Sequence, residues 1–128
     1  MLNEAIKAVE EYRSILNKGD VQEVNKWISD AFIGYFGYYN DRDYEVYDGS
    51  SYKKSNVETI KGYQGKNPYW EYNDLTMNLR SKNELILSSI LNFYLSGEKV
   101  AVALAMEIFR KEPDGWKLYR HHMERYSS

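Results

Sequence analysis

The stretch from Glu84 to Tyr126, ELILSSILNFYLSGEKVAVALAMEIFRKEPDGWKLYRHHMERY, limits what this chain can fold into more than any other part of it. It contains three β-rich runs, broken at Gly97-Glu98 and at Glu112-Pro113-Asp114-Gly115. That punctuation predicts three antiparallel strands joined by two tight hairpins. A Gly-first two-residue loop suits a type II′ turn, which sets Ser96 opposite Lys99. It then pairs Tyr94 with Ala101, Asn92 with Ala103, Ile90 with Ala105 and Ser88 with Glu107. In the second loop Pro113 presets the first turn position, and Gly115 suits the left-handed position of a bulge. Closing that loop with Glu112 opposite Trp116 places Phe109 opposite Tyr119, Glu107 opposite His121 and Ala105 opposite Met123.

Side chains alternate along a strand, so this register sorts the block into two faces. One carries Leu87, Leu91, Phe93, Leu95, Val100, Val102, Leu104, Met106, Ile108 and Leu118. The other carries Ser88, Ile90, Asn92, Tyr94, Ala101, Ala103, Ala105, Glu107, Phe109, Tyr119, His121 and Met123. Neither face is plainly polar, as a sheet wetted on one side would be. One face is therefore expected to cover the chain's own helices, and the other to meet a second subunit. A one-residue slip in either loop would turn a whole strand over.

Upstream, Leu2, Ile6, Val9, Tyr12 and Leu16 recur at helical spacing until Gly19, and Asp20-Val21-Gln22-Glu23 opens a second short helix. Ala31 to Tyr39 is β-rich with two glycines, a kinked strand; Asn40-Asp41-Arg42-Asp43 reads as a turn and Tyr44 to Asp48 as a short return strand. Ser55-Asn56-Val57-Glu58 has the form of a capping signature, with Val57, Ile60 and Tyr63 as the apolar stripe of a third helix. Trp70 to Arg80 is a further strand. Helices first and a long meander afterwards predict a single α+β domain over residues 1–128: helices laid across the concave side of a strongly curved antiparallel sheet, with a cavity where they stop filling it.

Composition narrows the function. A net charge of −2 without runs of like charge argues against nucleic acid as a partner. No segment approaches the apolar length of a membrane span, and the amino terminus lacks a signal-peptide core, so the expected location is the cytoplasm. The absence of cysteine removes disulfides, thiolate nucleophiles and cysteine-based metal sites. Metal-ligand spacings, phosphate loops and nucleophile elbows are missing too, so neither metal nor cofactor is expected. Of the aromatic residues, 13 are tyrosines, and most of the aromatics crowd between Phe32 and Tyr72. Tyrosine joins an apolar ring to a polar tip, which suits half-buried pocket walls and interfaces.

Three features together resemble the nuclear transport factor 2-like superfamily, and within it the small SnoaL-like bacterial proteins. The junction Leu16-Asn-Lys-Gly-Asp-Val21 is similar to the family's turn between its first two helices. A third helix lies between an early strand pair and the main sheet. The last strand, Asp114-Gly-Trp-Lys-Leu-Tyr-Arg-His-His122, resembles the family's ending, with histidine near its close. The resemblance spans nearly the whole chain and implies a cone-shaped fold. Ketosteroid isomerases in this superfamily use a helix-one tyrosine as oxyanion donor, a position that Tyr12 matches. Where they keep a carboxylate base this chain reads Gly34-Tyr35-Phe36. Scytalone dehydratase-like sites use two histidines with an acidic partner; His121 and His122 are adjacent and point to opposite faces. The association domain of calcium/calmodulin-dependent kinase, a similar fold, serves assembly.

The candidate catalytic residues are Glu107, His121 and Tyr12. Glu107 and His121 form the acid–imidazole pair that the register brings together, a pairing suited to proton transfer near neutral pH and equally readable as a cross-strand ion pair. Tyr35, Ser88, Asn92, Tyr94, Tyr119 and Met123 are the candidate ligand contacts, expected around an apolar or aromatic molecule that carries a polar group. Arg13 and Arg125 are candidates for an anionic group, and Trp27, Trp70 and Trp116 read as core anchors. Two functional readings stand side by side. One is a small-molecule pocket protein of the acid–base isomerase, cyclase or hydrolase kind. The other is a non-catalytic module that dimerises through the convex sheet face or senses a ligand.

Overall fold

The structure, a computed structural model, describes residues 1–39 and 42–126, so half of the turn expected at Asn40-Asp41-Arg42-Asp43 lies outside the described residues. The order is α1 (Leu2–Lys18), α2 (Val21–Lys26), β1 (Ile28–Tyr38), β2 (Glu45–Asp48), α3 (Gly49–Gly62), β3 (Tyr69–Ser81), β4 (Glu84–Leu95), β5 (Glu98–Glu112) and β6 (Gly115–Arg125). The strands form one curved sheet in the order β2-β1-β6-β5-β4-β3. All neighbours are antiparallel except β1 and β6, which run parallel. This is the expected α+β architecture of three helices on a curved, mostly antiparallel sheet.

The first two helices follow their sequence signals. α1 buries Ala5, Ala8, Val9 and Tyr12 at helical spacing and ends where Gly19 turns left-handed at φ 76°. In α2 the Asp20 carboxylate accepts hydrogen bonds from the backbone N–H groups of Gln22 and Glu23. The third departs from them. α3 starts about two turns earlier than the Ser55-Asn56 signature suggests, capped by Asp48 in a reciprocal box with Ser51. Ser55 and Asn56 therefore lie mid-helix, and Val57, expected in the core, is 45% exposed.

Both hairpins close differently from expectation. The β4–β5 loop is Ser96-Gly97, with φ of 49° and 81°, so both central residues are left-handed as in a type I′ turn. A serine there is strained. It is held by contacts no local pattern reveals: its N–H and its hydroxyl both donate to the Lys66 carbonyl, at 2.8 and 3.1 Å. Leu95 consequently pairs with Glu98, Leu87 with Glu107 and Ser88 with Met106. The loop alone displaces the expected pairing by two positions, a bulge between Phe93 and Tyr94 restores one, and the net one-residue shift turns β4 over. Leu85, Leu87, Ser89 and Leu91 are buried beneath the helices, while Ser88, Asn92 and Tyr94 belong to the outer face.

The β5–β6 loop closes with Glu112 opposite Gly115, a shorter turn than expected, and the extra residue appears further on as a bulge beside Phe109. Phe109 thus faces Leu118 rather than Tyr119. The Leu118 N–H donates to the Trp27 carbonyl at 2.7 Å, which fixes the start of β6 under α2. Tyr119 turns outward, its ring flanked by the guanidinium groups of Arg110 and Arg120, each 3.8 Å from the ring centre. Beyond the bulge the two differences cancel. Glu107 pairs with His121 and Ala105 with Met123, as the sequence predicts.

Candidate functional site

Glu107 and His121 sit mid-strand on the inner face, where β5 and β6 pair, and are 2% and 4% exposed. The Oε2 of Glu107 lies 3.1 Å from the Nδ1 of His121. The direction between them is poor, so neither carboxylate oxygen and neither ring nitrogen makes an aligned hydrogen bond among the described residues. All of these atoms are sealed from solvent. A buried carboxylate without hydrogen bonds costs several kcal/mol unless something compensates it, and here the imidazole lies against it and Arg13 acts on it from further off. Among the described residues, the buried side-chain polar atoms without a hydrogen-bond partner are those of this pair and the indole nitrogen of Trp116.

The imidazole is gripped by aromatic rings. Phe36 stacks on it at 5.1 Å and 21°, and Tyr52 of α3 stacks on both Phe36 (5.5 Å) and Phe32 (4.5 Å). Gly34, directly opposite His121 on β1, makes this stack possible. A Cβ at Gly34 would fall 2.7 Å from the Phe32 ring and 2.8 Å from the Phe36 ring, so a larger residue would force them apart.

Tyr12 of α1, Tyr52 of α3 and Tyr72 of β3 surround this floor, and no hydrogen bond among the described residues occupies their hydroxyls. Burial pushes all three phenols above the ordinary tyrosine range, and the negative charge of Glu107 adds to the effect in each. They stay neutral throughout the physiological range and are available as hydrogen-bond donors.

A cleft of about 580 Å³ opens above them. Its floor and sides include Tyr12, Phe36, Tyr52, Trp70, Tyr72, Leu91 and His121. Its mouth carries Asp43, Tyr44, Glu45 and Arg125, with the Arg125 guanidinium 5.3 Å over the ring of Tyr38. Among the described residues no group of histidine, aspartate or glutamate is placed to hold a metal ion.

Of the residues singled out from sequence, Glu107, His121, Tyr12 and Met123 come together here. The other five do not, for the register reasons above or because of strand direction. Ser88 shares a 2.6 Å hydrogen bond with Thr76, Asn92 donates to Glu71 at 3.0 Å, and Tyr94 packs on Tyr69, all on the outer face. Tyr119 lies between its arginines, and Tyr35 is 40% exposed, facing His122. Arg13 is not free for an anion. It makes two hydrogen bonds with Asp74, at 2.9 and 2.8 Å, and lies 4.1 Å over the ring of Tyr72. Burial raises the Asp74 carboxyl, but hydrogen bonds from Arg13 and Ser89 outweigh it and hold the group below its ordinary value.

Sequence reasoning missed Tyr52, Tyr72 and Phe36, read Trp70 as a core anchor, and overlooked Ser55, Asn56 and Thr59 of α3, all of which line the cleft. A signal for the α3 set was present. Tyr52, Ser55, Asn56 and Thr59 recur at the spacing of one helix face. The face was polar, and polar faces are ordinarily assigned to solvent.

No family profile and no curated protein matches the chain by sequence. Solved structures do match in shape. An NTF2-like protein of unknown function from Shewanella oneidensis superposes with a TM-score of 0.73 at 9% identity, covering 95% of this chain and 97% of that one. Another of unknown function, from Pseudomonas putida, gives 0.72 at 9% identity over 95% and 84%. A ketosteroid isomerase-like protein from Erwinia carotovora atroseptica gives 0.68 at 16% identity over 99% and 97%.

Proposed function

On this NTF2-like fold we propose a small-molecule pocket protein. Its ligand is an organic molecule with an apolar or aromatic body and a polar group, and the Glu107–His121 pair at the floor of the cleft serves for proton transfer. The observation that carries the reading is the unsatisfied acid–imidazole pair placed beneath a ring-lined cleft of about 580 Å³, a size suited to one organic molecule. An interior carboxylate without hydrogen bonds is costly to keep where hydrophobic packing alone is wanted. Tyr12, Tyr52 and Tyr72 are the donors that would hold a carbonyl or hydroxyl oxygen of the ligand. Turnover of the isomerase, cyclase or hydrolase kind needs a movement that brings a nitrogen of His121 to the cleft, since both are sealed at rest. We place the protein in the cytoplasm, consistent with a chain without cysteine.

The test is ligand-induced thermal stabilisation, read with aromatic and small carboxylate probes on the wild type and on Glu107→Gln. Stabilisation in the wild type that falls in the variant supports the reading. Equal stabilisation in both removes the pair from the site, and silence from every probe removes the pocket.

A second reading, assembly of two copies through the outer face, is favoured by its apolar character. Val100 and Met106 are 49% and 45% exposed, beside the partly covered Ile86, Ile90, Leu104 and Ile108. Sedimentation of wild type and Met106→Lys tests it; a monomer in both would exclude it.

A further inference from the structure

α3 faces the wrong way for a helix that only fills a core. Tyr52, Ser55, Asn56 and Thr59 line the cleft, whereas Val57 is 45% exposed on the opposite side. From Tyr52 to Thr59 this polar row runs roughly 10 Å, two turns of helix. Its groups retain capacity to bind. Asn56 donates its amide N–H to Asn25 at 3.0 Å, a bond that does not use its carbonyl oxygen, the Thr59 hydroxyl has no partner among the described residues, and the Ser55 hydroxyl meets the phenol of Tyr47, itself a cleft residue. The other lining side chains are mostly apolar, Trp70, Leu91 and Met123 with Tyr72, while Phe36, stacked on Tyr52 and His121, belongs to the floor. Formal charge is confined to the two ends. Asp43, Glu45 and Arg125 are at the mouth, and at the floor the Glu107 oxygens are sealed behind His121.

We propose that α3 is a recognition element for an uncharged, ring-containing polyol that lies along the helix, its oxygen-bearing edge on Tyr52, Ser55, Asn56 and Thr59 and its apolar face on Trp70. The proposal rests on the pocket reading above and adds the class of ligand. Two turns of helix present hydroxyl and amide groups at intervals of about 5.4 Å, so the ligand carries oxygens spread along one edge rather than a single polar head. Its ring faces stack on Trp70. A charged ligand gains nothing along the row, where every partner is neutral, and loses its hydration on entering. A small saccharide and a polyhydroxylated aromatic share this chemistry.

Calorimetric titration with cellobiose, a polyhydroxylated stilbene, unsubstituted stilbene and 4-hydroxybenzoate tests it, with the fluorescence of Trp70 as a second readout. The expected result is that one of the two polyols binds at least about tenfold more tightly than stilbene and than the anion, the difference one or two hydrogen bonds make. Which polyol binds identifies the source. In the double variant Ser55→Ala/Thr59→Val the polyol is expected to bind about tenfold more weakly, while Thr59→Ser, which keeps the hydroxyl, retains binding. Thermal melting of each variant confirms that it is folded. Stilbene binding as tightly as the hydroxylated compound, or a preference for the anion, would overturn the proposal and leave the pocket reading standing. No binding by any probe would overturn both.

Discussion

α1 and α3 lie on the same sheet and treat it in opposite ways. α1 presses Ala5, Ala8, Val9 and Tyr12 onto Leu85, Leu87, Phe109 and Leu118, and that half of the interior is filled. α3 contributes one fully buried aliphatic side chain, Ile60, and turns its hydroxyl and amide groups inward. The difference is one of side-chain chemistry at equal helical spacing. An apolar stripe draws the helix down until water is expelled; a polar stripe gains nothing from dry contact and leaves a cleft. The protein thus has a half that holds it together and a half that is free to bind, and the boundary between them runs through Tyr12 and His121.

The largest effect should separate these halves. Phe109 is 1% exposed in the filled half, with its ring 5.6 Å from that of Tyr12. Phe109→Ala is expected to cost about 3–5 kcal/mol, measured as a lowered urea midpoint at unchanged slope. Tyr52→Ala removes a side chain of similar size that stacks on Phe32 and Phe36 but borders the cleft, and should cost less. Equal losses would mean that α3 is as tightly packed as α1, and the contrast would collapse.

The dyad at the boundary gives the next effect, and its signature is a sign. Among the described residues His121 is the basic side chain within ion-pair distance of the sealed Glu107. His121→Phe therefore leaves a lone buried carboxylate and should destabilise by about 3 kcal/mol. Glu107→Gln alone removes the charge that is costly to bury and should be neutral or stabilising by about 1 kcal/mol. Combined in one chain, Glu107→Gln should recover most of the loss caused by His121→Phe. Additive losses in that cycle would show that the two side chains do not sense one another.

How far the sequence revealed this plan depends on the range of the interactions involved. Period-two alternation and hairpin loops predicted the meander and brought Glu107 to His121, because two departures, a shortened turn and a bulge, compensate before that pair is reached. In the first hairpin a bulge beside Phe93 makes up only half of the displacement set by the loop. Its loop is fixed by Lys66, 30 residues away, and one residue of slip removed Ser88, Asn92 and Tyr94 from the site. The parallel pairing of β1 with β6 is non-local as well, so the stack of Phe36 on His121 leaves no mark in either strand. The inward polarity of α3 was written plainly at helical spacing, but its meaning depends on which side the sheet lies.

The pH dependence sharpens the comparison from the floor of the cleft. Tyr12, Tyr52 and Tyr72 have phenols raised above the ordinary tyrosine value, burial being the first cause in each. Raised groups lend stability that is complete below their unfolded value near 10 and is lost as pH climbs past it. In an absorbance titration of tyrosine ionisation, most of the 13 residues should ionise smoothly, while these three ionise only together with unfolding. Replacing Tyr72 with Phe should remove one of the delayed ionisations and move the alkaline unfolding midpoint upward. A smooth titration of all 13, with the fold intact, would show that the floor is open to water.

The smallest effect comes from the outside of α3. Val57 is an apolar residue in the place where a filled-core helix would put its polar face, and its side chain touches no part of the buried cluster. Val57→Gln should change stability by no more than about 0.5 kcal/mol, because a straight-chain residue suits an exposed helix position slightly better than a β-branched one. Val9→Gln, at the matching buried position of α1, should be many times worse, since Val9 is 0% exposed and the amide would have no partner. The ratio of the two losses measures how differently the helices are engaged. A large loss at Val57 would show that something in solution covers the outer side of α3, and the inverted helix would then face two partners rather than one.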